Sequence, residues 1–231
     1  INDALVAAAV KNGTLQEADL DQAIARNLCL SLSSLHRQKP ATPADPNQHH
    51  TLARKAAAQS CVLLKNTNSL LPLTPQTKVA LIGAFAEKPR FQGAGSSQVR
   101  PTQVDTLRAS LEEYVGDYLG EIDYAMGYDP VASHANQTLI REAAVLAAQV
   151  DVAIVYAGLP SIYESEGFDR AHLELPDQHN ALIEAVSTAN PQTVVVLANG
   201  APVTMPWINR VAAVVEGYLG GQASGSGLAD V

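Results

Sequence analysis

An α/β sandwich, with a mostly parallel central sheet covered by helices on both faces and a helical fragment ahead of it, is the fold class this sequence predicts. Three observations predict it. Short continuous apolar runs at 79–83, 150–157, 193–198 and 211–215 lack the alternation of a half-exposed strand, as strands buried on both faces do. Ala-rich or amphipathic stretches of helical length separate them, the rhythm of parallel strands joined by crossover helices. With 47% hydrophobic residues but only 5% aromatics, the core must be built from Ala, Val, Leu and Ile.

Taken in order, residues 2–35 read as two helices. Asn2 caps the first, Ala4–Lys11, and Asn12-Gly13 ends it by the usual glycine C-cap chemistry. Thr14 and Glu17 form a capping box for the second, along which Leu15, Leu20, Ile24, Leu28 and Leu32 recur at helical spacing. Residues 37–50, with three prolines and no apolar period, read as a linker. Leu52–Ser60 is a helix and Val62–Leu64 a short extended piece. The strand Val79–Gly83, the helix Val104–Val115 and the strand Ile122–Met126 follow. Then come the helix Asn136–Gln149, the strand Val150–Ala157, the helix Asp177–Ala189 and the strands Thr193–Ala198 and Val211–Val215. The loop at Gly220–Gly225 is ambiguous.

Composition removes several function classes. The formal net charge is −8, so neither nucleic acid nor an anionic membrane surface is an expected partner. No apolar run approaches the ~20 residues of a membrane span. Cys29 and Cys61 are unpaired by any metal or redox spacing and read as small buried hydrophobes. His49 and His50 lack a third ligand nearby and read as solvated or capping residues, so no metal is expected. The chain opens on Ile1-Asn2-Asp3 without an initiator Met or a signal-peptide pattern, which predicts a fragment or processed chain and a cytoplasmic location.

Candidate chemistry concentrates in Tyr163-Glu164-Ser165-Glu166-Gly167-Phe168-Asp169-Arg170, just beyond a buried strand. In an open α/β sheet, the carboxyl ends of the strands form the ligand crevice. Alternation along an extended loop puts Glu164 and Glu166 on one side. Phe168 supplies apolar walls that raise a carboxyl pKa, and Asp169-Arg170 supplies opposite charge. A raised pKa is what a general acid needs near neutral pH. The loop Gly93–Ser97 lacks the third glycine and the lysine of nucleotide-binding motifs. It reads equally as a polar-ligand loop or a surface connection. Asn199-Gly200 reads as a tight turn with positive φ at Gly200, and Trp207 as core. No nucleophile elbow or zinc-peptidase motif is present.

Several segments in order resemble one family: R-K-A-A-A-Q-S-C-V-L-L-K-N at 54–66, L-L-P-L at 70–73, V-A-L-I-G at 79–83 and G-A-G-S-S at 93–97. So do D-V-A-I-V-Y-A-G at 151–158, E-S-E-G-F-D-R at 164–170, L-E-L-P at 173–176 and V-V-V-L-A-N-G-A-P-V-T-M-P-W at 194–207. Together they resemble the β-glucosidase branch of glycoside hydrolase family 3. The resemblance implies that 1–36 are the last helices of a (β/α)8-type barrel, 37–50 the linker, and 51–231 a sandwich domain shortened at its C-terminus. It implies retaining hydrolysis of a β-glucoside or oligosaccharide, with a β-xyloside as the alternative substrate, and without a cofactor. The family's nucleophile, an Asp in a Ser-Asp-Trp setting on the barrel, has no counterpart here, so the chain alone is expected to be inactive. The acid/base falls on Glu166 in preference to Glu164, with Tyr163, Asp169 and Arg170 shaping and charge-balancing the loop. Gly95, Ser96 and Ser97 fall on the substrate rim. The competing reading is a non-catalytic sugar- or nucleotide-binding module. The apolar face of residues 5–32 is expected to promote homo-oligomers.

Overall fold

The computed structural model describes residues 3–36, 43–114, 117–132 and 134–231. Asn2, the expected first cap, therefore lies outside it, as do residues 37–42 of the expected linker and Val115. The chain divides into two units, Ile1–Ala44 and Asp45–Val231.

In the first unit, α1 (Asp3–Lys11) and α2 (Glu17–His36) flank a turn at Gly13, where φ is +79°. The expected capping box does not form. Thr14 directs its amide (3.0 Å) and hydroxyl (2.6 Å) to Oδ1 of Asn12, so α2 starts three residues later. Neither helix buries a residue, and Cys29 is exposed, contrary to the expectation of a small buried hydrophobe.

In the second unit, α3 (Pro46–Ser60) begins six residues before the expected Leu52. The Asp45 side chain accepts from the Asn47 amide at 2.9 Å, and Pro46 occupies the first turn, where its missing N–H costs nothing. Residues 46–50 are thus helix, not linker. His50, expected to be solvated or capping, bridges elements instead. Its Nε2 lies 2.8 Å from Asp105 Oδ2, and its Nδ1 lies 2.8 Å from Gln222 Nε2.

The sheet contains β1 (Val62–Asn66), β2 (Lys78–Ile82), β3 (Glu121–Ala125), β4 (Val152–Gly158), β5 (Thr193–Ala198) and β6 (Ala213–Glu216), in the order β1-β6-β5-β4-β2-β3. Only the edge pair β1–β6 is antiparallel. The two central strands are buried along their whole length, which is why they read as unbroken apolar runs. Helices α4 (Leu107–Glu112), α5 (Gln137–Ala147), α6 (Asp177–Ala189) and α7 (Ser224–Ala229) complete the sandwich. α5 and α6 pack together against the sheet, and α7 packs against α3 and α4.

Two further helices differ from expectation. α4 starts at Leu107 because Thr106 caps it, accepting from the Ala109 amide at 3.2 Å, while the Asp105 amide is held by Gln222 O at 2.8 Å. α7 was hidden by its Ser-Gly-Ser-Gly composition, which disfavours helix. The glycines serve packing: a Cβ on Gly225 would lie 2.6 Å from Asp105 O, and one on Gly227 2.6 Å from Ala57 Cβ.

Phe85, Tyr128 and Tyr156 cluster with His179 near the carboxyl ends of β2 and β4. Tyr128 stacks at 4.0 Å on His179, and Phe85 meets both rings edge-on. His179 is fully buried, and its Nδ1 accepts the Gly158 amide at 3.2 Å, so that nitrogen carries no proton. Burial lowers its pKa from 6.5 to about 3. The folded state therefore refuses a proton that the unfolded chain accepts below 6.5. Stability is fully present above that pH and is lost as pH falls toward 3, at about 1.4 kcal/mol per pH unit. At pH 5 the loss from this one residue is about 2 kcal/mol. Urea unfolding across pH 7 to 4 should show this slope, and His179→Leu should remove it; an unchanged slope in the variant would assign the acid sensitivity elsewhere.

Candidate active site

Because β2, β4, β5 and β6 run parallel, the loops that follow them emerge along one edge of the sheet. After β4 the chain does not stay extended. Leu159 pairs with Ala198 O at 2.9 Å, and the amides of Tyr163 and Glu164 turn back to Pro160 O at 2.8 and 3.2 Å. Ser165 and Phe168 then form an antiparallel bridge around Glu166-Gly167, with Gly167 at φ +93°. That is a tight turn requiring positive φ at its glycine, and it puts Glu166 at the tip.

The two glutamates consequently part company, correcting the expectation that they share one side. Glu164 points inward. Both its carboxylate oxygens lie 3.0 Å from the Gly200 amide, its Oε2 lies 3.9 Å from Arg90 Nη2, and its side chain is 18% exposed. Arg90, 9% exposed, also donates to Leu159 O at 3.1 Å, to Glu164 O at 3.0 Å and to Gln92 O. Glu166 is exposed, and its Oε2 accepts the Ser96 amide at 2.7 Å. Ser96 sits in a 3₁₀ turn, Gly95–Ser97, that begins at φ +80° on Gly95. A Cβ on Gly95 would lie 2.6 Å from Glu166 Cβ, so only glycine lets the turn lie against this side chain. Ser97 closes the same turn, its hydroxyl on Ala94 O at 3.3 Å.

The electrostatics also differ from expectation. Ser96, through its hydroxyl and amide, holds the Glu166 carboxyl below the usual carboxylate range. Phe168 is 50% exposed and forms no apolar wall to raise it. No ion pair joins Asp169, which is exposed, to Arg170. Arg170 instead donates Nη2 to Pro202 O at 2.9 Å, fastening the loop to the segment after β5. Tyr163 packs half-buried against the core.

Gly200 does not adopt the expected positive φ. Its glycine is explained by proximity, since a Cβ there would lie 3.0 Å from Glu164 Oε1. Trp207 is buried as expected, its Nε1 on Asn180 Oδ1 at 3.0 Å. Sequence reasoning missed Arg90, Asn199 and Glu216. Glu216, 7% exposed at the end of β6, accepts the Tyr218 amide at 3.1 Å and Asn199 Nδ2 at 3.3 Å. Burial, with a smaller contribution from Glu164, raises its pKa. An acidic residue ending an apolar strand was the available signal. Among the described residues, no group of three or more His, Cys, Asp or Glu could hold a metal ion.

The arrangement is a single solvent-facing carboxylate on a hairpin tip, over a buried charged base. It can give or take one proton at the strand-end edge.

Comparison with known proteins gives this edge a family. The glycosyl hydrolase family 3 C-terminal domain matches residues 61–231. Thermostable beta-glucosidase B of Acetivibrio thermocellus is 47% identical over 231 residues, all of this chain and 30% of that protein. An exo-alpha-(1->6)-L-arabinopyranosidase of Bifidobacterium longum is 40% identical over 81% of this chain and 26% of its own length. The crystal structure of a GH3 beta-glucosidase from Bifidobacterium adolescentis superposes with a TM-score of 0.88 at 35% identity, covering 99% of this chain and 33% of that one. The chain thus spans a third or less of the length of these relatives. By its sequence, its sheet order and this extended match, the chain belongs to glycosyl hydrolase family 3 and contains its C-terminal α/β domain.

Proposed function

We propose that this chain supplies the general acid/base, Glu166, of a retaining β-glucosidase whose nucleophile lies on a barrel domain outside the 231 residues. The observation that carries the reading is the divergence of the two glutamates: Glu164 is tied inward to Gly200 and Arg90, while Glu166 faces solvent at the hairpin tip. In such an enzyme one carboxyl protonates the leaving oxygen while the other attacks the anomeric carbon, and the first then deprotonates water.

The Glu166 carboxylate bonded to Ser96 is in the ionised form that suits the second step. The first step needs the proton. A glycoside and a facing domain that cover the tip remove water from around the carboxyl, which raises its pKa, and compete for its bond to Ser96. On this reading Gly95, Ser96 and Ser97 line the substrate rim, while Tyr163, Asp169 and Arg170 shape the loop. Residues 1–36 are the last barrel helices, the segment up to Ala44 is the connection, and 45–231 form the sandwich, with α3 as its first helix.

The named activities of the relatives differ, a beta-glucosidase and an arabinopyranosidase, so glucose is the proposal rather than a consequence of family membership. A nucleotide-binding module is disfavoured because the Ser96 amide, the donor that the 93–97 loop would offer a phosphate, is taken by Glu166. Two assays test the proposal. The purified chain with an aryl β-glucoside should give no turnover, and clear hydrolysis would show that a second catalytic carboxyl is present within it. In a polypeptide that joins this chain to its barrel, Glu166→Gln should cripple hydrolysis far more than Glu164→Gln does; the reverse order would move the acid/base to Glu164.

A further inference from the structure

Arg90 and Glu164 are charged, largely buried and unused by the proton transfer proposed above. Arg90 leaves the loop after β2, crosses to the loop after β4 and donates there to two backbone carbonyls, Leu159 O and Glu164 O, as well as to Gln92 O in its own loop. Glu164 continues the chain of contacts to the loop after β5, through the Gly200 amide. From Asn199, beside Gly200, Nδ2 reaches Glu216 at the end of β6. Four successive strand ends of the sheet are thereby joined through side chains.

Burying a guanidinium is costly unless its donors are satisfied. Here they are spent almost wholly on loop carbonyls, the fork geometry that arginine provides and lysine does not. Two residues beyond Glu164 stands Glu166.

We propose that Arg90 and Glu164 form a buried clamp that positions the 165–168 hairpin, and that Glu164 is a positioning residue rather than a proton donor. The proposal rests on the assignment of Glu166 as acid/base but is tested without it. The clamp fixes where the hairpin leaves the sheet, and so holds Glu166 within reach of the Ser96 amide. Without the guanidinium, Leu159 O and Glu164 O lose their donor and the Glu164 carboxylate its counter-charge. The hairpin then pivots and the 2.7 Å contact at Ser96 opens.

The test is an NMR titration of the isotope-labelled 231-residue chain, following the Glu166 carboxyl and the Ser96 and Gly200 amides, with circular dichroism to verify folding. In the unsubstituted chain the Ser96 amide should titrate together with Glu166, at a midpoint below that of glutamate in an unstructured peptide. In Arg90→Met the Glu166 midpoint should rise to the unstructured value and the Ser96 amide should cease to follow it, with Arg90→Lys in between. A folded Arg90→Met chain with both signals unchanged overturns the clamp.

Should Arg90→Met fail to fold, Glu164→Gln decides. It keeps the volume and one acceptor oxygen and leaves the backbone bonds of Arg90 intact. It should shift the Glu166 midpoint upward and speed hydrogen exchange at Gly200, and no change in either overturns the proposal. These readouts need no substrate. If Glu166→Gln leaves hydrolysis intact while the titrations behave as stated, the proton-donor assignment fails and the clamp stands. If Glu166→Gln abolishes hydrolysis while the titrations do not move, the clamp fails and the assignment stands.

Discussion

Gly158→Ala should prevent the second unit from folding. Gly158 is the last residue of β4, at φ +155°, and pairs with Ala198 of β5. A Cβ built on it would lie 2.6 Å from the Ala198 carbonyl carbon and 2.8 Å from its nitrogen. Both positions are backbone of a fully buried central strand, so no side chain can swing aside. Relief would require β4 and β5 to separate, breaking the ladder at the centre of the sheet and the Gly158 bond to His179. Overpacking that the backbone cannot absorb belongs among the largest single-residue effects, and the expected cost is above about 4 kcal/mol. Gly221→Ala is the control. Its φ is +76° but nothing lies within 4 Å of the added carbon, so only the left-handed strain of about 1–2 kcal/mol applies. Chemical denaturation should find Gly221→Ala folded and modestly weakened, with Gly158→Ala unfolded in buffer. A folded Gly158→Ala chain with a near-normal midpoint would mean that β4 and β5 do not approach so closely.

The second large effect concerns catalysis in the polypeptide proposed to join this chain to a barrel domain. General acid/base groups typically contribute about 10²–10⁴-fold, and Glu166→Gln should lower kcat/KM for an alkyl β-glucoside by that range. The loss should depend on the leaving group. An alkoxide needs the proton, so its departure suffers in full. A dinitrophenolate leaves unaided, so glycosylation should stay near its normal rate while the second step, deprived of its base, slows. The covalent intermediate then accumulates, and both kcat and KM should fall together for the activated substrate. Glu164→Gln should show no such leaving-group dependence, because that carboxylate faces Gly200 and Arg90.

The legibility of the sequence varied with the range of the interactions involved. α6 and β5 agree with expectation to the residue. Pro176 opens the helix, Asn190-Pro191 closes it, and an unbroken apolar run follows; all of these signals are local. The start of α2 was misplaced because the Thr14 hydroxyl has two acceptable partners, and only geometry shows that Asn12 takes it. α7 was invisible because its glycines answer to Ala57 and the 105–107 segment, far away in sequence. The octapeptide's place at a strand end was readable from the apolar run before it. The division of labour within it was not, since Glu164 is defined by Arg90, 74 residues earlier, and by Gly200, 36 residues later. Likewise the depressed pKa of Glu166 comes from Ser96, 70 residues away, whereas proximity in sequence pointed to Phe168.

The most direct test of Glu166 as the acid/base removes its carboxylate and offers a substitute. Glu166→Ala in the barrel-bearing polypeptide should hydrolyse a dinitrophenyl β-glucoside slowly, and added azide should restore turnover in proportion to its concentration. The product should be β-glucosyl azide, with the anomeric configuration of the substrate, because azide attacks the glycosyl-enzyme on the face that the lost carboxylate served. Undiminished hydrolysis of alkyl glucosides by Glu166→Ala, or azide rescue appearing in Glu164→Ala instead, would contradict the account.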